Sequence, residues 1–163
     1  MSAPITIAQG PQYSRILGVG SERGNRIVDN AEMCTWIESS DEWIQQRTGI
    51  VERRWVDESQ TALSMALNAA RRAMDSAGLR PGDVDAIIVS TVSVFRQFPS
   101  LAVEIASELG LDHPAAFDIS AACAGFCYGV GMADSMVRAG TAHNVLVVGV
   151  EVLSEQTDLT DRS

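Results

Sequence analysis

Apolar positions along the chain fall into two kinds of run. Residues 84–92, with Ala86-Ile87-Ile88-Val89 at their centre, are almost unbroken hydrocarbon, and residues 115–120 and 144–153 resemble them. Short apolar runs of this kind predict strands covered on both faces. Between them apolar residues recur at three and four. Thr61 opens a helix whose positions Ala62, Met65, Ala66, Ala69, Ala73 and Ala77 form one small-residue stripe, with Arg71 and Arg72 off it and Gly78 as the stop. Residues 100–109, closed by Gly110, and the glycine- and alanine-rich residues 125–139 predict two more helices. Earlier in the chain, residues 14–19 read as a short strand, and Asn30 as the cap of a helix reaching Trp36 and Ile37. Ser40 reads as the cap of a helix over 41–47, with Asp41 and Glu42 in its first turn and Gly49 as its stop. Residues 50–56 predict a strand and Pro81-Gly82 a turn. Strands alternating with helices indicate an α/β domain with a largely parallel sheet.

Composition narrows the classes of function. Of 163 residues, 46% are apolar and 20% charged, enough hydrocarbon for a real core. The net charge of −9 repels phosphate backbones, which argues against nucleic-acid binding. No stretch approaches ~18 unbroken apolar residues, so no membrane-spanning helix is expected. Residues 1–12 have neither a basic start nor an apolar run, and 1–13 read as a flexible leader without a signal peptide, leaving 14–163 as one structural unit. Three cysteines without zinc spacing suit a reducing cytoplasm and predict no metal site. Gly18-Val19-Gly20 starts like a dinucleotide loop, but Arg23 occupies the place of the third glycine, so the pair is read as a strand end and turn.

The chemistry-bearing stretch is Phe117-Asp118-Ile119-Ser120-Ala121-Ala122-Cys123-Ala124-Gly125-Phe126. A covered strand ends, small residues crowd the corner, and Cys123 sits where a helix begins. A helix N-terminus carries unpaired N–H groups and partial positive charge, which favour a thiolate and a developing oxyanion. Ala122, Ala124 and Gly125 leave room for a substrate. These features suit a nucleophile that exchanges thioesters, and equally a packed structural cysteine. Cys34 and Cys127 read as structural. His113 and His143 read as surface histidines.

The segment Ala121-Ala122-Cys123-Ala124-Gly125-Phe126 resembles the active-site segment of β-ketoacyl-acyl-carrier-protein synthase III, the type III ketosynthases of the thiolase superfamily. Ser39-Ser40-Asp41-Glu42-Trp43-Ile44, Arg47-Thr48-Gly49-Ile50, Phe98-Pro99-Ser100 and Asp161-Arg162 match that family in order and approximate spacing. The resemblance implies a thiolase-like layered α/β fold, here the N-terminal half of an αβαβα arrangement, with a mixed, mostly parallel sheet and helices on both faces. It implies that Cys123 takes an acyl group from acyl-CoA and that malonyl-acyl-carrier protein then condenses with it, starting fatty acid or polyketide chains. The alternative on the same fold is acyl transfer to an amine or alcohol without condensation. Trp43 and Arg162 fall where the family sandwiches the adenine of coenzyme A, Arg47 near the phosphates and Ser39 near the adenine. Phe98 falls where the family reaches across a homodimer interface, and Val92 and Leu153 are channel candidates by analogy. No permanently bound cofactor is implied; acyl-CoA is a substrate and acyl-carrier protein a partner. The family's catalytic histidine and asparagine lie in a second half absent from this sequence, so this chain alone is expected not to condense.

Overall fold

The protein, described as a computed structural model over residues 9–161, is built on a three-stranded parallel sheet in the order β4-β3-β5. The strands are β3 (Ala86–Ser90), β4 (Ala115–Ile119) and β5 (Val145–Gly149), with Ala86 in register with Ala115 on one side and Val145 on the other. All five residues of the central β3 are buried, as its unbroken apolar run demands. The flanking strands are less covered, and each predicted strand is longer than the observed one because its ends pass into loops.

Two more elements open the chain: β1 (Arg26–Asp29) and α1 (Asn30–Met33), followed by α2 (Asp41–Thr48) and β2 (Glu52–Trp55). β1 and β2 pair antiparallel in a separate ribbon, so the expected mixed sheet resolves into one wholly parallel sheet and one small antiparallel ribbon. β1 gave no sequence signal because it is only four residues long, half of them charged, and only Val28 is buried. Asn30 is not a cap: Asp29 takes that place and accepts the Glu32 N–H at 2.8 Å. Asn30 is instead buried, donating to Asp41 Oδ1 and the Ile50 carbonyl and accepting from Arg53. The predicted helix through Trp36 stops at Met33; Trp36 instead stacks on Trp55 at 5.4 Å, with the Arg26 guanidinium over both rings.

The remaining helices are α3 (Ala62–Ala77), α4 (Leu101–Leu109) and α5 (Gly125–Arg138). Thr61 and Ser64 cap α3 reciprocally, and left-handed Gly49, Gly78 and Gly110 close α2, α3 and α4 as predicted. α3 and α4 cover one face of the sheet. Ala66, Leu67 and Ala70 from the first, and Leu101, Ala102, Ile105 and Ala106 from the second, enclose Ile87, Val89 and Val148. α5 covers the opposite face, where Gly129 lets its backbone approach Ile88, Ile119 and Val147. Along α5, Phe126, Tyr128, Val130 and Met132 remain exposed.

Residues 14–19 form no strand. They run along the alanine stripe of α3, and a Cβ on Gly18 or Gly20 would collide with the α3 backbone at Ala73 and Ala69. The glycines therefore serve close packing rather than a turn. Of the predicted leader, 1–8 lie outside the described residues; Gly10 is held by its N–H to the Arg138 carbonyl at 3.2 Å.

Candidate active site

The sheet topology decides where a site can form. β3 leads through α4 to β4 on one side, and β4 leads through α5, on the other face, to β5. The crevice outside the carboxyl ends of such strands, where the connections part, is the usual ligand site of open α/β sheets. Three loops meet there: one after β3, one after β4 carrying Cys123, and one after β5.

Cys123 lies in a short 3-10 turn (Ala122–Ala124) joining β4 to α5, and it is solvent-exposed. Ala122 adopts a left-handed φ of 44°, unusual for a residue with a Cβ, which turns the chain sharply before the cysteine. The Ala124 N–H bonds to the Ala121 carbonyl at 3.1 Å, closing the turn. No side chain caps the turn or α5, so the positive end of the helix faces the cysteine corner unneutralised. Gly125 gives room at this corner: a Cβ there would stand 1.9 Å from Ser90 Oγ, at the end of the central strand, and would force that hydroxyl to turn away.

Strand ends and loops are knitted together around this corner. The Thr91 N–H reaches the Ile119 carbonyl at 3.2 Å, and the Val150 N–H reaches the Ser90 carbonyl at 3.1 Å. Asp118, from β4, accepts the Leu101 and Ala102 N–H groups, both at 2.8 Å, and so fixes the start of α4. Glu151, after β5, accepts the Val92 N–H at 2.9 Å and the Ser93 hydroxyl at 2.6 Å. Neither carboxylate was singled out from sequence, although each is a charge beside a run of hydrocarbon, the available signal for an acceptor of backbone N–H groups at a strand end.

The other site residues predicted from sequence form separate groups. Trp43, 44% exposed, and Arg47 share α2, with the guanidinium carbon 5.8 Å from the ring centroid. Ser39 lies just ahead of α2, its hydroxyl oxygen buried. Val92 and Phe98 both lie on the loop after β3; Val92 is half-buried and Phe98 is 91% exposed. Arg162 lies outside the described residues. An open groove of about 420 Å³ runs between the β1–β2 ribbon and the loop after β5, lined among others by Arg53, Trp55, Glu151 and Leu153. Neither Cys123 nor Trp43 lines it, so the expected adenine group and the nucleophile are not joined by this groove.

His113 and His143 precede β4 and β5 and therefore lie at the amino edge of the sheet. A five-residue strand, about 13 Å long, separates that edge from the cysteine corner, so neither imidazole reaches Cys123. The His143 and Asn144 N–H groups instead bind Asp85 Oδ2 at 2.7 and 2.9 Å. Those bonds, that of Asn144 foremost, hold the Asp85 carboxyl below its usual value of 3.8.

A parallel sheet with a cysteine at the junction of its edge strand and a face-covering helix is consistent with the N-terminal half of a thiolase-like α/β fold. Residues 117–163 match the family described as 3-oxoacyl-[acyl-carrier-protein (ACP)] synthase III. The chain is 49% identical over 156 residues to a β-ketoacyl-[acyl-carrier-protein] synthase III of Streptomyces glaucescens, covering 96% of this chain and 47% of that protein. It is 53% identical over 151 residues to the Kocuria rhizophila protein of that name, covering 93% and 42%. In fold it is similar to the priming β-ketosynthase from the R1128 polyketide biosynthetic pathway, with a TM-score of 0.94, 44% identity, and coverage of 99% of this chain and 48% of that one. The 3-oxoacyl-[acyl-carrier-protein] synthase III of Aquifex aeolicus gives a TM-score of 0.87 at 43% identity, covering 90% and 47%. The chain thus spans about half the length of the relatives it matches. Sequence and fold together make this chain similar to the N-terminal half of β-ketoacyl-[acyl-carrier-protein] synthase III proteins.

Proposed function

We propose that the chain is the acyl-accepting half of a β-ketoacyl-acyl-carrier-protein synthase III that primes fatty acid or polyketide chains. The observation that carries this reading is Cys123, exposed on a strained corner at the carboxyl edge of a parallel sheet and facing the uncapped start of α5. The Cys123 sulfur attacks the carbonyl carbon of an acyl-CoA thioester; a new C–S bond forms, the bond to the coenzyme A sulfur breaks, and that thiol leaves with the proton. The positive end of α5 stabilises the oxyanion formed on the way. Trp43 and Arg47 offer an indole face and a guanidinium for a purine and its phosphates, with Arg162 and Ser39 as the further contacts implied by the family resemblance.

Condensation with malonyl-acyl-carrier protein follows in this reading and uses groups beyond Cys123. Acyl-CoA enters as a substrate, not as a held cofactor. Phe98, projecting into solvent, suits a homodimer contact, and three free cysteines suit the cytoplasm. Among the described residues no helix is long and apolar enough to cross a membrane.

The test follows free coenzyme A by chromatography after mixing protein with acyl-CoA. A burst of one equivalent per chain is expected, absent from Cys123→Ala; an undiminished burst from that variant overturns the proposal. Adding malonyl-acyl-carrier protein separates the two chemistries. Carbon dioxide release supports the ketosynthase, whereas label passing to an amine or alcohol without it supports an acyltransferase. A 3-ketoacyl product from this chain alone contradicts the need for a second half.

A further inference from the structure

Helix α2 carries Trp43 and Arg47, yet hydrocarbon barely anchors it: of its eight residues, Asp41–Thr48, only Ile44 is buried. A helix so short is marginal without tertiary support. Successive residues turn by about 100°, which puts Asp41, Ile44 and Gln45 on one side of α2 and Trp43 and Arg47 on the other. The inner side is held by a polar knot centred on Asn30, itself only 2% exposed. The Asn30 amide nitrogen donates to Asp41 Oδ1, in the first turn of α2, at 2.7 Å, and to the Ile50 carbonyl, just past the closing Gly49, at 2.8 Å. The Asn30 side-chain oxygen accepts from Arg53 of β2 at 2.7 Å. Both amide hydrogens and the oxygen are therefore in use, and one side chain ties the entry and the exit of α2 to the ribbon. Hydrogen bonds from Gln45 and Asn30 hold the Asp41 carboxyl below its ordinary value of 3.8, so the acceptor is charged and its bonds are correspondingly strong.

We infer that Asn30 is a positioning residue that sets how α2 presents Trp43 and Arg47 to the nucleotide end of acyl-CoA. The inference rests on the acyl-transfer reading above. Asn30 is uncharged and lies behind the helix, so its loss acts on binding through the pose of α2 and leaves the charge facing the phosphates unaltered. An indole and a guanidinium that must be ordered at the moment of binding cost affinity that a fixed helix retains, here about fivefold.

The test compares two thioesters: acyl-CoA, and acyl-pantetheine, which carries the same reacting carbonyl on the same arm without the nucleotide. The burst of free thiol is followed for each over a range of concentrations. Asn30→Ala is expected to raise the half-saturating concentration of acyl-CoA about fivefold, with the rate at saturation and the half-saturation by acyl-pantetheine both within about twofold of the parent. Asn30→Ser, whose hydroxyl donates to Asp41 or to Ile50 but cannot bridge them, falls between. A general loss of folded protein instead lowers the burst amplitude with both thioesters and moves neither half-saturation. A half-saturation by acyl-CoA that stays put in the folded variants, or that rises equally for acyl-pantetheine, overturns the inference. Failure of both variants to fold also overturns it, because Asn30 then supports the whole chain rather than the pose of α2. Trp43→Ala tests the reading underneath: an unmoved half-saturation by acyl-CoA in that variant shows that α2 does not meet the nucleotide. Absence of any burst from the unsubstituted protein overturns the acyl-transfer reading itself.

Discussion

Removing the Asp118 carboxylate is the sharpest probe of how the sheet holds its helices. Both oxygens are used: Oδ2 accepts the Leu101 N–H and Oδ1 the Ala102 N–H, each at 2.8 Å. These are two of the four N–H groups that a helix start leaves without an internal partner; Ser100 takes a third, from Val103, at 3.3 Å. Leu101 and Ala102 are 2% and 0% exposed, so water is poorly placed to replace the lost acceptor. A hydrogen bond to a charged group contributes about 1.5–3 kcal/mol, and the two here share one carboxylate. Asp118→Ala should therefore cost about 3 kcal/mol. Asp118→Asn keeps one acceptor and turns an NH₂ group towards the second N–H, and should cost about half as much. At roughly 2–4 °C per kcal/mol for a chain of this size, the alanine variant should melt about 6–12 °C lower. Urea titration followed by circular dichroism reads the effect as a lower midpoint at unchanged slope. A loss below about 0.5 kcal/mol for the alanine variant, or an asparagine variant worse than alanine, refutes the assignment.

Gly125→Ala places a methyl against Ser90, and should cost about 1–2 kcal/mol after the gain in helix propensity is deducted. Ser90→Ala in the same chain should recover at least half, and additive effects in a double-mutant cycle contradict the contact. Trp43→Ala should raise the acyl-CoA concentration that gives half the maximal rate of the coenzyme A burst about tenfold with little change in the rate at saturation, because an exposed indole face binds the purine in ground and transition states alike; an unchanged half-saturation contradicts that role. The depressed Asp85 carboxyl stabilises the folded state above its unfolded value of 3.8 and loses that contribution as pH falls through and below it. Asp85→Asn should thus flatten the acid limb of a urea-midpoint profile below about pH 4, and an unaltered limb counts against the Asn144 and His143 bonds.

The parallel sheet and its covering helices were legible because their signals are local: apolar runs for β3 to β5, the alanine stripe for α3, and the helix-opening residues Ser40 and Thr61 with closing glycines Gly49, Gly78 and Gly110. Residues 14–19 were misread because an apolar stretch with glycines suits an edge strand and a packed coil equally, and only the approach of Gly18 and Gly20 to α3 separates them. Asn30 was misread as a cap because its short-range propensity gives no hint of partners 11 to 23 residues away. Cys123 stood out by its place between strand and helix. Glu151 and Asp118 did not, since their work is done on backbone amides of other loops, a relation that exists only once the chain has folded.

The proposed chemistry depends on one sulfur receiving an acyl group. Mapping the peptides of the protein after brief exposure to isotopically labelled acyl-CoA addresses this directly. The label is predicted on the peptide bearing Cys123, sensitive to hydroxylamine as a thioester and lost in Cys123→Ala. Label confined to Cys34 or Cys127, or surviving the removal of Cys123, contradicts it.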